Sequence, residues 1–228
     1  MIFTHTGKLG DFFLTLPIAN WYYRTYGEKI HYVLSSDFDF FRTIVPDFIK
    51  YLPYVEKMTL VPHKIEHYME GGQPYKFNPA EYGIEGSYFN LGFRKYPDKY
   101  ISLFVAEEHE LNVNYRNLID IKPNYSLAQS RVYTNEYNIL SSKINIEDFI
   151  ELIFEDTLYT NISKMLGAKE IRTYMSGFSI LCDLLRPENT YIYTAIDIEH
   201  YGPFFYKNHN YYIKNKRYIN LLPEKINE

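Results

Sequence analysis

Near the start of the chain, Gly7-Lys8-Leu9-Gly10-Asp11 gathers two glycines, a lysine and a carboxylate between a short apolar run and a longer one. Residues of these types suit a strand-to-helix turn that meets a ligand. Gly7 and Gly10 let the backbone approach closely, Lys8 adds a positive charge, and Asp11 falls beside a helix start, where the dipole favours negative charge. Spacing leaves two roles open for Asp11. As an N-cap it would accept a hydrogen bond from the helix's first turn; as a general base it would take a proton from a hydroxyl in a cleft. Position alone favours the cap. The Gly-x-x-Gly spacing matches neither the dinucleotide fingerprint nor the phosphate loop ending in Gly-Lys-Ser/Thr.

Other candidates carry less chemistry. His63 and His67 have the spacing of two ligands on one helical face. Pro62, Gly71 and Gly72 argue against a long helix there and no HExxH glutamate accompanies them, so no metal is expected. Glu107, Glu108 and Glu110 read as a solvated helix face. Cys182 is the only cysteine, which excludes an internal disulfide and a cysteine cluster for zinc. It lies on an apolar helix face and is expected to be buried and inert.

The elements around these residues alternate. Ile2–Thr6 reads as a strand and Phe12–Tyr26 as a helix, with Phe12, Phe13, Leu16, Ala19, Tyr23 and Tyr26 at helical spacing. Pro17 is tolerated only in a first turn, so the helix proper is expected to begin near it. After Gly27 come a strand at Ile30–Leu34, a helix at Asp39–Lys50 broken or ended near Pro46, and a strand at Val55–Val61. This β-α-β-α-β order predicts a parallel sheet with crossover helices. A turn at Gly71-Gly72-Gln73-Pro74, a fourth strand within Ser87–Leu91 and a helix at Tyr100–Leu111 follow.

Lys122-Pro123-Asn124 breaks the chain and divides it into 1–123 and 124–228. The second half predicts a strand at Tyr133–Leu140, a helix at Ile146–Phe154, and a helix at Leu158–Leu166 closed by Gly167 as C-cap. A strand at Glu170–Tyr174, a turn at Met175-Ser176-Gly177, a helix at Phe178–Leu185 ended by Pro187, and a strand at Tyr191–Thr194 complete it. The tail from Tyr201 is aromatic and basic (Lys207, Lys214, Lys216, Arg217) and is expected to pack back on the first lobe.

Bulk composition sets the class. The 24 basic and 28 acidic side chains leave a net charge of −4, against a duplex-wrapping nucleic-acid binder. An apolar fraction of 46% supplies a core and excludes global disorder. No run approaches the roughly 20 apolar residues of a membrane span, and no signal peptide opens the chain, so a soluble cytoplasmic protein is expected. AT-rich codon usage explains 25 Tyr and 16 Phe against one Trp more simply than a platform for stacking bases or sugars.

The segment Gly7-Lys8-Leu9-Gly10-Asp11-Phe12-Phe13-Leu14-Thr15-Leu16-Pro17 resembles the opening of glycosyltransferase family 9, the heptosyltransferase-like enzymes. The helix ending at Tyr26-Gly27, the strand near Ile30 to Ser35 and the approach Leu52-Pro53-Tyr54-Val55-Glu56-Lys57 are similar too, so the resemblance covers roughly residues 1–62. A second stretch, Thr173-Tyr174-Met175-Ser176-Gly177-Phe178-Ser179-Ile180-Leu181, is similar to the family's Asp-(Ser/Thr)-Gly-x-x-His turn, which meets the donor diphosphate. Here Met175 stands where the family has aspartate and Ile180 near its histidine. The family's Lys-Trp-Pro segment has no counterpart, and the chain is shorter than a usual member.

The resemblance implies an α/β, GT-B-like fold of two Rossmann-like parallel sheets with a reduced second lobe. The first lobe would face the acceptor and the second the donor. It implies transfer of a sugar from a nucleotide-diphosphate sugar to a glycan or related hydroxyl acceptor, inverting and without metal or other cofactor. Asp11 would be the general base, and Gly7, Lys8 and Gly10 would form the acceptor-side loop. Ser176, Gly177, Ser179 and the helix they start would stabilise the leaving diphosphate. Read without the family, Ser176-Gly177 is a tight strand-to-helix turn with Ser179 as a capping residue. A silent remnant acting as a binding or self-associating module, or an enzyme acting on another phosphorylated metabolite, are the competing functions.

Overall fold

The computed structural model describes residues 1–5, 7–63, 78–91, 118–134, 145, 147–153 and 156–221. The chain divides into two compact units, Met1–Ile121 and Lys122–Glu228. The turn expected at 71–74, the helix expected at 100–111 with its glutamates, and His67 lie outside the described residues.

In the first unit, β1 (Ile2–His5) leads into α1 (Leu9–Tyr26), then β2 (Ile30–Ser35), two short helices α2 (Asp39–Thr43) and α3 (Val45–Ile49), and β3 (Val55–Val61). A 3-10 turn at Pro79–Tyr82 precedes β4 (Tyr88–Asn90). All pairings are parallel, in the order β3-β2-β1-β4. β1 is buried along its whole length, as a central strand of a parallel sheet covered on both faces must be.

Helix α1 starts at Leu9, so Pro17 sits in its interior and not near its start. A mid-helix proline costs about 3 kcal/mol. Phe12, Phe13, Leu14, Leu16 and Ile18 are all buried around it, at roughly 1.5–3 kcal/mol each, and burial outweighs the lost hydrogen bond. The helix stops at Gly27, whose left-handed φ of 72° lets its N–H bond the Tyr23 carbonyl. The helix predicted at Asp39–Lys50 breaks at Ile44, beside Pro46.

The second unit contains β5 (Arg131–Tyr133), β6 (Phe149–Glu151), α4 (Leu158–Gly167), β7 (Glu170–Tyr174), α5 (Gly177–Leu185), β8 (Thr190–Thr194), α6 (Ile198–Phe205), α7 (His209–Lys214) and β9 (Tyr218–Asn220). Its strands are parallel in the order β6-β5-β7-β8-β9. Two expectations are corrected here. The stretch predicted as a helix at Ile146–Phe154 contains β6 instead. Ladder pairing with β5 sets Phe149 beside Arg131 and Glu151 beside Tyr133, and the Arg131 and Arg172 guanidinium groups lie 5.7 and 5.4 Å from the Phe149 ring. Tertiary pairing overrides the helical spacing.

Gly167 is the last residue of α4 and does not cap it; the cap is Ala168, in extended conformation. A Cβ at 167 would lie 2.0 Å from the Asn124 carbonyl oxygen, so close backbone approach requires the glycine. The tail, as far as residue 221, belongs to the second unit's own sheet: β9 pairs with β8, from Ile192–Tyr218 to Thr194–Asn220.

Both sheets reverse direction beside their first strand. From β1 the chain moves outward through β2 and β3, then returns to place β4 on the other side of β1. From β5 it steps to β6, then returns to place β7 on the other side of β5 and continues outward. With β5 counted first, this is the flavodoxin-like 2-1-3-4-5 order. In such sheets ligands bind beyond the carboxyl ends of the strands where the order reverses. The β1–β4 and β5–β7 junctions are therefore where functional residues are sought.

Candidate functional site

At the first reversal, the turn from His5 to Asp11 is closed by a ring of short contacts. The N–H of Lys8, in extended conformation as the N-cap, donates to Asp11 Oδ2 at 3.2 Å. Asp11 is therefore not the N-cap expected from its position. It is the third helical residue, reaching back to the cap as the acid of a capping box does. Its carboxylate lies at the positive end of the dipole of an 18-residue helix and is 9% exposed. Lys8 is exposed, and Leu9 and Gly10 form the half-buried first turn.

Gly7 is buried, and its space is taken by the protein itself. A Cβ there would lie 2.7 Å from Asp11 Cβ and 2.9 Å from His5 Cε1. The close approach foreseen for a ligand is thus an approach of the turn to its own helix. His5 is fully buried and spans the reversal: Nδ1 is 3.3 Å from the Leu91 carbonyl beyond β4, and Nε2 accepts the Gly7 N–H at 3.1 Å. Burial pushes its pKa below the ordinary histidine value, and the Asp11 charge opposes that shift only in part. In the sequence His5 reads only as part of the first strand. The available signal was a polar residue closing an apolar strand just before a glycine turn.

At the second reversal, Thr134 and Thr173, both buried, join the ends of β5 and β7 through a 3.0 Å hydroxyl–hydroxyl bond. The turn after β7 follows. Ser176 is the N-cap of α5, and its Oγ accepts the Phe178 N–H at 3.2 Å. Ser179 is fully buried. Its hydroxyl accepts the Ser176 N–H at 2.9 Å and donates to the Ser176 carbonyl at 2.7 Å. The 2.8 Å contact with Tyr206 Oη must then be a bond donated by the tyrosine, since a serine has one proton. The Ser179 proton is thus engaged inside the fold, where the residue closes the capping box of α5. Ser176 and Gly177 remain half-buried at the start of the helix.

Two further residues escaped the sequence. Tyr206 buttresses the turn from the tail. Asp183, fully buried on α5, accepts the N–H groups of Lys207 at 2.7 Å and Asn208 at 3.2 Å and the Asn208 side-chain amide at 3.1 Å. A lone acid on an apolar helix face was its only sign. Cys182 is buried and its thiol pushed well up by burial, which fits the inert reading. His63 Nδ1 bonds Tyr82 Oη at 2.8 Å. Among the described residues no group of three or more His, Cys, Asp or Glu could hold a metal, and no helix is long and apolar enough to cross a membrane.

No protein-family model matches the sequence, and no curated protein matches it. Among solved structures, the chain is similar to a glycosyl transferase family 9 protein from Veillonella parvula, with a TM-score of 0.52 at 12% identity over 96% of this chain and 90% of that one. It also aligns with the E. coli heptosyltransferase WaaC with ADP, at a TM-score of 0.49 and 12% identity over 85% and 86% of the two chains. The two Rossmann-like units of parallel sheet and crossover helix thus follow the fold of a glycosyl transferase family 9 structure.

Proposed function

We propose that this protein is a glycosyltransferase that moves a sugar from a nucleotide-diphosphate sugar to a hydroxyl of a glycan or related acceptor, with inversion and without a metal. One observation carries the reading: Asp11 is anchored through the Lys8 N–H at the start of α1, beyond the strand where the first sheet reverses. In the reaction Asp11 takes the acceptor hydroxyl proton as that oxygen bonds to the anomeric carbon. The bond from that carbon to the diphosphate oxygen breaks, and the electron pair leaves with the nucleoside diphosphate. Negative charge then grows on the diphosphate, where backbone N–H groups at a helix start and a hydroxyl donor suit it. Ser176 and Gly177 at the head of α5 are the residues assigned to it, and Lys8 and Gly10 line the acceptor side, while the buried Gly7 lets the turn pack on its own helix.

The test is release of nucleoside diphosphate from a panel of nucleotide-sugars by the full chain, with and without simple glycan acceptors. Acceptor-dependent release supports the reading; none across the panel removes it. A second reading, a binding module without turnover, is favoured by the engagement of the Ser179 hydroxyl inside the fold and by Met175 in place of an acid. Titration calorimetry with nucleoside diphosphates separates the two: tight binding removes the pure-scaffold module, and no binding favours it.

A further inference from the structure

His5 ends β1 where the chain turns toward Asp11, and its ring is held on every side by β1's neighbours. Phe12 of α1 and Phe41 of α2 pack on it at centroid distances of 6.1 and 6.0 Å. The Leu91 carbonyl lies 3.3 Å from Nδ1, and the Gly7 N–H points at Nε2 from 3.1 Å. Because that amide can only donate, Nε2 is a bare acceptor, and Nδ1 carries the proton given to Leu91. The Lys8 carbonyl at 3.5 Å from Nε2 is at the outer limit of a bond. Asp11 is a charged group that bears on the ring, and burial outweighs its pull and that of the carbonyls, lowering the pKa below the ordinary histidine value; the Gly7 N–H donated to Nε2 requires the neutral ring. Gly7 is wedged between His5 Cε1 and Asp11 Cβ with no room for a methyl. Histidine, turn and carboxylate therefore form one packed unit.

We propose that His5 is a positioning residue: as a neutral Nδ1–H imidazole it holds the Gly7 N–H, and through Gly7 and Lys8 it fixes the direction of the Asp11 carboxylate. The catalytic part rests on the reading of Asp11 as base; the holding of the turn does not. A ring with one donor and one acceptor on separate edges can tie the Leu91 carbonyl just after β4 and the Gly7 amide at once, with no charge to desolvate.

Nitrogen-15 NMR of the full wild-type chain tests this first. The expected result is the Nδ1-protonated tautomer with a coupling across the hydrogen bond from the Gly7 amide to Nε2, between about pH 7 and 8. An Nε2-protonated ring, or an imidazolium in that range, overturns the proposal even if no variant folds. Two variants then separate holding from space-filling. His5→Gln offers an acceptor near the place of Nε2, whereas His5→Asn offers only a donor near Nδ1. In His5→Asn the Lys8 amide, which carries the bond to Asp11, should exchange with solvent about tenfold faster, the scale of one lost hydrogen bond. His5→Gln should restore most of the protection. Equal exchange in wild type and both variants overturns the proposal. In a transfer assay, His5→Asn should lower kcat with KM unchanged and His5→Gln should recover it. Wild-type protein that transfers no sugar while the amide results hold overturns the role of Asp11 and upholds that of His5 in holding the turn.

Discussion

At the scale of single residues, the account depends on a carboxylate fixed by a backbone amide and on a glycine that cannot be replaced. A general base contributes about 10²–10⁴ in rate, so Asp11→Asn should lower turnover by about that factor. Its fold should survive, because the amide oxygen still accepts the Lys8 N–H. Gly7→Ala should act on stability as well, since its methyl would sit 2.7 Å from Asp11 Cβ. Overpacking of this kind costs about 1–3 kcal/mol, readable as a lower urea midpoint. An unchanged midpoint would show that the turn can yield. Asp11, Gly7 and Lys8 were legible in the sequence because glycine and charge cluster between two apolar runs. The roles of Asp11 and Gly7 were not. Whether an acid is the cap itself or the third helical residue depends on where the helix begins, and moving its start from Phe12 to Leu9 exchanges the two roles. His5 was hidden for a different reason: its partners Gly7 and Leu91 lie near in the chain and far along it, and only the β1–β4 pairing brings the second one in.

At the scale of elements, strands and helices with strong local signals were legible to within a residue or two. β3 and β7 match their expected limits, because β-branched and aromatic runs bounded by Pro or Gly leave little ambiguity. β6 was not legible. Its three residues carry too little pattern, and Arg131, from a strand upstream, decides their conformation. Gly167 teaches the same lesson: a glycine at a helix end suggests a left-handed cap, but its reason is the Asn124 backbone pressed against it. The clasp between α5 and the segment after α6 is an element-scale device. Asp183 satisfies two backbone N–H groups there. Asp183→Ala removes the acceptor of two part-buried donors, at about 1–3 kcal/mol each, so a loss of roughly 3 kcal/mol is expected in equilibrium unfolding. A loss under about 1 kcal/mol would mean that water reaches these amides. Because the same segment carries Tyr206, which supports Ser179, Tyr206→Phe should weaken nucleoside diphosphate binding more than it weakens the fold.

At the scale of the whole molecule, two parallel sheets each reverse beside their first strand, and each reversal carries one of the two turns singled out in the sequence. Their distance in the chain hid nothing, since each turn belongs to its own sheet and each sheet follows from a β-α-β order. Acidity supplies a molecule-wide check. His5, His31, His63 and His209 all have pKa values pushed below the ordinary histidine value, chiefly by burial. Below about pH 6.5 the unfolded chain therefore binds more protons than the folded one. Stability is complete above that pH and falls as the solution is acidified. Urea unfolding at neutral pH and one to two units below the histidine range should show the lower midpoint on the acid side; a higher midpoint there would reverse the sign of the argument.

The most direct measurement compares wild type with Asp11→Asn on a nucleotide-sugar that the wild type turns over, following both binding of the sugar donor and release of the nucleoside diphosphate. The account predicts donor binding within a factor of about two and release slowed by about 10² or more. Equal release by the two proteins would contradict it, because the proton would then be leaving the acceptor by a route that does not pass through this carboxylate.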